Sequence, residues 1–412
     1  MQEYVDILYK EESANLGSSL AWFHAIAEAP GKVLQQVLAS GGRVWGCLPY
    51  YAPEELVYAA GYRPMAMWGA SLRAKKAKAW LPPQFCSLVQ TTLELAARGG
   101  YEGLSGILCG AICDPLRSFG QNWTAACRIP VLYFSQPQNR SSAAGKRFLA
   151  GEYRRVYEEL CAARGEETSP EKVREAIRIY NESRRVRREF VRLAGVLRPS
   201  DRCAVLKAAG FADPAVYTEH LQRVNALLRS GSSEGDFGKS VNDLASFAND
   251  GIHTIPVITS GILCDHPRIL ELLDSYHYRI VGDDMAAESR SFAADAPEDG
   301  GDPFEALAER FANADLDTIL YPGGSCCSGK AAPSAAAGDA RAMALVHLAQ
   351  ETGARAVLLL RQQFCDPEEV LEPALREALD AAGIPCLPIP VDQQVKEPGQ
   401  AVTLLETLAD ML

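Results

Sequence analysis

Apolar residues recur at helical spacing over Ser18–Leu38, and Gly41-Gly42 ends the pattern, so a leading helix is expected there. The apolar run Arg43–Leu48 has the length of a buried strand. Pro53–Gly61 carries proline in its first turn, Glu54 and Glu55 beside it and glycine after its end, which is the layout of a short helix. Tyr62–Trp68 predicts the next strand, Gln84–Ala97 a helix, and Leu104–Ile112 and Ile129–Phe134 two further strands. The character changes after this. Val156–Leu160, Val173–Tyr180, Phe190–Leu197 and Tyr217–Leu228 repeat apolar positions at three and four with almost no strand signal, and Ser169-Pro170-Glu171 is a strong helix start. Alternation then returns: strands over Thr254–Ser260, Tyr278–Val281, Leu316–Leu320, Ala356–Leu360 and Ile384–Ile389, with helices over Arg268–Ser275, Phe304–Asn313, Arg341–Gln350 and Glu368–Ala382.

Strands alternating with helices on both sides of a helical stretch predict an α/β protein with two open, mostly parallel sheet domains and an intervening helical segment. The boundaries expected are 1–145 for an N-terminal α/β domain with its leading helix, 146–248 for the helical segment and 249–412 for a C-terminal α/β domain. Ser230–Gly238 reads as a solvated break.

The chain of 412 residues has 41 Lys+Arg against 52 Asp+Glu, a formal net charge of −11, which argues against a protein built to hold nucleic acid. No apolar run approaches the length of a membrane span, and the N-terminus has no basic segment followed by an apolar one, so a cytoplasmic protein is expected. In a reducing compartment the 12 cysteines become candidates for thiolate ligation or catalysis rather than for disulfides.

Two of them stand in a repeated context. Cys113-Asp114-Pro115 and Cys365-Asp366-Pro367 each follow a predicted buried strand, where side chains of open parallel sheets face ligands. The prolines could start helices whose first amides would favour a thiolate. Cys86 precedes a third helix, and three thiolates at helix beginnings could hold an iron–sulfur cluster. The intervals between them fit no local zinc-finger or ferredoxin pattern, so from spacing alone buried packing cysteines are the plainer alternative. Cys109, Cys127, Cys161, Cys203, Cys264 and Cys386 fit that packing role; Cys47, at another strand end, stays open.

Gly324-Ser-Cys-Cys-Ser-Gly-Lys330 has P-loop spacing, but Ala331 stands where a magnesium-ligating hydroxyl belongs, and a low-complexity stretch follows. Six scattered histidines give no HExxH, and neither GxSxG nor GxGxxG occurs. The basic run Arg184–Arg188 reads as a solvated helix face balanced by Glu182 and Glu189, with an acidic partner or coenzyme phosphates as the alternative. Gly282-Asp283-Asp284, followed by Glu288 and Arg290, either lines a cleft or caps and salt-bridges a helix.

Taken in order, Leu16–His24, Gly46–Gly61, Phe85–Gln90, Ile112–Arg117, Gln121-Asn122-Trp123, Pro137–Arg140, Gly282–Arg290, Phe364–Glu369 and Asp392-Gln393-Gln394 resemble the 2-hydroxyacyl-CoA dehydratase family, within the 2-hydroxyglutaryl-CoA dehydratase D-component and benzoyl-CoA reductase superfamily. The Ala-Ala-Glu-Ser-Arg continuation to Arg290 is most like the β subunit. The resemblance implies a 4Fe-4S cluster held by Cys86, Cys113 and Cys365, with Cys47, Glu54 and Glu55 as secondary cofactor-binding candidates and a flavin as a further candidate in the complex. It implies an α-subunit partner carrying most of the catalytic residues, an acyl-CoA substrate and a transient ATP-dependent iron–sulfur activator. The activity implied is a hydro-lyase. In the scheme it implies, an electron relayed through this chain turns an (R)-2-hydroxyacyl thioester into a ketyl radical anion. This loses hydroxide and then a β-proton and returns the electron, giving an enoyl-CoA without net redox change. An ATP-dependent reductase subunit of benzoyl-CoA or double-cubane type, and a cluster-free assembly subunit, are the alternatives. Ser325–Gly338 departs from the family as an insertion.

Overall fold

A computed structural model describes residues 15–48, 51–137, 139–140, 142–231, 254–314 and 334–412, with backbone only at 334–339. The first part runs α1 (Leu16–Glu28), α2 (Pro30–Ala39), β1 (Val44–Leu48), α3 (Glu54–Ala59), β2 (Arg63–Ala66), α4 (Ser87–Ala97), β3 (Leu104–Gly110), α5 (Asp114–Ala126) and β4 (Val131–Phe134). Four helices follow: α6 (Ala143–Arg164), α7 (Pro170–Leu193), α8 (Pro199–Ala208) and α9 (Pro214–Gly231). The last part is β5 (Ile255–Gly261), α10 (Pro267–Ser275), β6 (Tyr278–Met285), α11 (Pro303–Ala312), α12 (Ser334–Thr352), β7 (Ala356–Gln362), α13 (Asp366–Ala381), β8 (Cys386–Val391) and α14 (Gly399–Met411).

The strands form two four-stranded parallel sheets, ordered β2-β1-β3-β4 and β6-β5-β7-β8. The α/β class with two parallel sheets is therefore as expected. Each sheet reverses its winding once, between β1 and β3 in the first and between β5 and β7 in the second. Such switch points leave a crevice beyond the carboxyl ends of the strands.

Two elements depart from expectation. The leading helix is two helices, because Pro30 cannot donate to the preceding turn and pushes Ala29 out of the helical region, to φ −132°. Strand β6 continues through Gly282-Asp283-Asp284, so these aspartates lie within a buried strand rather than beyond its end. The strand expected over Leu316–Leu320, the P-loop-like Gly324–Lys330, Cys326-Cys327, most of the Ser230–Gly238 break and the Ser325–Gly338 insertion up to residue 333 lie outside the described residues.

Both sheets are covered on both faces, as parallel sheets require. Phe190, Val205, Tyr217 and Leu221 from the helical segment join Phe23, Leu93, Ile107 and Trp123 on one face of the first sheet. Tyr153, Val156 and Ile177 meet Leu56, Leu108, Phe304 and Phe311 on the other. The period of two is visible in the second sheet: Val257 and Leu358 pack towards Leu273 and Leu405, while Ile258, Val357 and Leu359 pack towards Leu345 and Leu379. The fully buried Arg202 of α8 donates to Asp283 of β6 and to Glu288, tying the helical segment to the second sheet.

Candidate functional site

The two switch points face each other across a cavity of about 80 Å3 lined by Cys86, Cys113 and Cys365. Leu48 and Ile262 border it from the ends of β1 and β5, and Trp68 and Ala287 also line it. Each of the three cysteines is the N-cap residue of a helix: Cys86 of α4, Cys113 of α5 and Cys365 of α13. Asp-Pro after Cys113 and Cys365 explains the last two, since proline is pre-set for the first turn and aspartate suits the positive helix end. Cys86 and Cys113 come from the first sheet's helices and Cys365 from the second's, so the group exists only when both sheets are assembled.

A hydrogen-bonded clamp holds that assembly. Gln362, at the end of β7, donates from Nε2 to Ser87 Oγ at 2.6 Å, and the Gln393 backbone N–H donates to the same oxygen at 3.0 Å. Ser87 directly follows Cys86, so the clamp joins the Cys86 helix to the strand that leads into Cys365. Gln90 holds the preceding loop by donating to the Phe85 and Pro83 carbonyls, and Gln394 reaches Gln90 Oε1 and the Ala74 N–H. The Gln363–Cys365 turn is tight. Phe364 has φ +62°, and its N–H is taken up by Glu369 Oε1. Gly261, at the end of β5, has φ +146°, and a Cβ there would run into the Leu360 carbonyl; glycine lets the strands close at the cavity rim.

Burial pushes all three thiols up, Cys113 to about 12, despite nearby backbone amides that pull them down: Leu88 and Val89 at Cys86, Leu116 at Cys113, Glu368 at Cys365. The thiols also raise one another, Cys86 acting on Cys113 and both acting on Cys365. The helix starts therefore do not by themselves make reactive thiolates here, contrary to the simplest expectation from their position: desolvation outweighs the amides. A bound cation would supply the charge that burial denies, and loading would release protons.

Among the described residues no three His, Cys, Asp or Glu side chains stand close enough to hold one metal ion. Three convergent thiols in an apolar cavity nevertheless fit an iron–sulfur cluster, in which each thiolate takes a different iron and the ligands stand apart. Helix-start amides around each sulfur suit the negative charge of such a group. Cys109, Cys161, Cys203 and Cys264 are buried in the packing, and Cys127 and Cys386 are partly buried.

Cys47, Glu54 and Glu55 do not join the three thiols. They line a separate chamber of about 50 Å3, next to the cavity and sharing Trp68 and Ala287 with it. Glu55 is buried and accepts from Arg184 at 2.7 Å. The basic run of α7 is thus only half a solvated face. Arg185 pairs outward with Glu182 at 2.7 Å, whereas Arg184 is buried, Arg187 lines the chamber and Arg188 binds Asp295 at 2.6 Å. The inward positions lie four and seven residues after Tyr180, on the helix's own buried stripe, which is the signal that marks them.

The acidic and basic groups around Gly282–Arg290 are structural. Asp284 accepts from Arg341 at 2.8 Å and from Ser260 at 2.7 Å, and Arg341 and Arg290 both reach Glu368 in the first turn of α13. This buried network fixes the helix that Cys365 caps. Arg341, Glu368, Ser87 and Gln362 were not distinguished by the sequence pattern, since isolated polar residues announce a buried partner only once the fold supplies it.

Known proteins align with this chain nearly end to end. The family model "2-hydroxyglutaryl-CoA dehydratase, D-component" matches residues 49–412. The chain is 38% identical over 400 residues to the (R)-2-hydroxyglutaryl-CoA dehydratase β subunit of Acidaminococcus fermentans, covering 95% of this chain and 98% of that one. It is 33% identical to the (R)-phenyllactyl-CoA dehydratase β subunit of Clostridium sporogenes, over 95% of this chain and 97% of the relative. Against the lactoyl-CoA dehydratase β subunit of Anaerotignum propionicum it is 32% identical, over 94% and 96%. These relatives are subunits of hydro-lyases. The chain belongs to the 2-hydroxyglutaryl-CoA dehydratase D-component family.

Proposed function

We propose that this chain is the β subunit of a heterodimeric (R)-2-hydroxyacyl-CoA dehydratase. In this reading Cys86, Cys113 and Cys365 hold a 4Fe-4S cluster, and the chain works as electron relay and scaffold for an α partner. The observation that carries it is the convergence of three N-cap cysteines, from two sheets, on one apolar cavity. The β-subunit names of the relatives support the partner.

When bound, the cluster would supply one electron at low potential to a reaction whose substrate proton is otherwise barely acidic. The chain's own residues do the rest. Cys86, Cys113 and Cys365 give up their protons on loading. Leu48, Leu88, Val89, Leu116, Ile262 and Leu263 keep the cavity apolar, and the Ser87–Gln362 bond holds the two sheets in register. The activator that delivers the electron and hydrolyses ATP is a separate protein in this scheme.

The reading is tested by anaerobic co-production with the α partner, followed by an assay with activator, ATP and a panel of (R)-2-hydroxyacyl-CoA thioesters. Enoyl-CoA should form only when both subunits, activator and ATP are present. Activity of the α partner without this chain, or formation of a reduced acyl-CoA instead of a dehydrated one, would overturn it.

A further inference from the structure

The chamber beside the three-thiol cavity carries more hydrogen-bond donors than the protein uses. Arg184, Arg187 and Arg310 all reach it, from α7 and α11. Arg184 is committed to Glu55 at 2.7 Å and to Asn181, and Arg310 donates to the Ser291 carbonyl at 2.8 Å. Arg184 Nε, 3.7 Å from Asp295, and Arg310 Nε are nevertheless buried without a hydrogen-bond partner. Arg187 has no carboxylate of the described residues within ion-pair distance; its guanidinium makes one long bond, Nε to the Ser183 carbonyl at 3.4 Å, and lies over the Phe292 ring.

Glu54 is the matching oddity. Its carboxyl has no hydrogen bond or ion pair among the described residues, although Arg187, Arg310 and Arg184 all act on it. Glu54 and Arg187 keep some accessible surface while lying deep within the protein, because that surface faces the chamber. Burial, and then the neighbouring Glu55, push the Glu54 carboxyl up to about 7, the arginines opposing them. The other groups facing it are Tyr180 of α7 and Cys47 of β1, whose thiol burial keeps protonated. A partly enclosed space with guanidinium donors to spare and a carboxyl that is easily protonated lacks one component, an oxygen-rich acceptor. About 50 Å3 admits three or four waters or one group of similar size.

We propose that this chamber is a binding site for a small carboxylate, held by the Arg187 guanidinium and by a hydrogen bond shared with the Glu54 carboxyl. Arginine's planar fork matches a carboxylate bidentately, and a neutral carboxyl can share its proton with a second carboxylate where an ionised one would repel it. The site does not depend on the three cysteines or on the cluster, so its failure would leave the proposed function standing.

The test uses the full chain, purified anaerobically, with sodium acetate and sodium formate as probes against sodium chloride at matched ionic strength. Binding is read by thermal shift and by line broadening of 13C-labelled acetate. Acetate should raise the unfolding temperature saturably, and it should bind about tenfold more weakly at pH 8 than at pH 6, because ionised Glu54 repels it. Arg187→Gln should abolish the effect. Glu54→Gln, which keeps a donor and cannot ionise, should bind acetate equally at both pH values. An acetate response no larger than that of chloride, or one that survives in Arg187→Gln, overturns the proposal. If Arg187→Gln does not fold, the Glu54→Gln comparison decides alone: a pH dependence unchanged from the parent protein rejects the role given to Glu54.

Discussion

Cys113 shows how a residue's neighbours along the chain can mark it. A cysteine followed by Asp-Pro at the end of an apolar strand is placed at a helix start facing the sheet's ligand side, and that is where Cys113 and Cys365 stand. Cys86 lacks the Asp-Pro mark and is picked out only by its place before a third helix. His24 had no mark at all, because its partner is 177 positions away. It bonds Asp201 Oδ1 at 2.9 Å and joins α1 to α8. The hydrogen bond to Asp201 raises the His24 imidazole above its usual value against the pull of burial, and Asp201, despite its own burial, is held low by His24 and Arg198. A group whose folded value is raised contributes fully below its unfolded pKa of about 6.5 and loses that contribution as pH rises through the folded value; Asp201 contributes above about 4 and loses it on acidification. His24→Ala should therefore cost about 1 kcal/mol at pH 5.5 and distinctly less at pH 8, read from urea midpoints.

Among the elements, the strands were legible as short continuous apolar runs, as parallel strands buried on both faces are, and most helices by apolar positions three and four apart. What failed was local. One proline divides the leading helix, and β6 runs on through two aspartates that hydropathy alone would place in a loop. Their charges are absorbed by Arg202 and Arg341, which no pattern along β6 could reveal. Helix α7 misled for the opposite reason, since its basic run is solvated at Arg185 but buried at Arg184. Removing Arg184 would leave Glu55 buried with only Arg310, 4.0 Å away, so Arg184→Met should destabilise by about 3 kcal/mol. The double variant with Glu55→Leu should recover much of that loss, a coupling visible as non-additive denaturation midpoints.

The Ser87 clamp acts between elements. Ser87→Ala would strand the buried Gln393 N–H and part of the Gln362 amide, at about 1–3 kcal/mol. It should also loosen Cys86 relative to Cys365, so that iron is lost to a chelator faster than from the parent protein. Ser87→Thr, which keeps the hydroxyl, should restore retention, whereas a purely structural loss would track the melting temperature alone.

For the molecule as a whole, two parallel sheets meet at their switch points, and four of the ordered motifs cluster where they meet. Phe85–Gln90, Ile112–Arg117, Phe364–Glu369 and Asp392–Gln394 supply thiols, caps and clamp around one cavity. Their order along the chain was legible, but their meeting depends on two sheets facing one another, a relation between distant segments that no local pattern encodes. Among the described residues no helix is long and apolar enough to cross a membrane. The electron-relay role requires that those three thiols hold a cluster. The most direct measurement is iron and acid-labile sulfide per chain, on protein made and purified anaerobically, beside Cys86→Ala, Cys113→Ala and Cys365→Ala. Roughly four irons and four sulfides per parent chain, and their loss in each folded variant, is the expected result. A folded parent chain without iron, or variants that keep their full iron content, would contradict it.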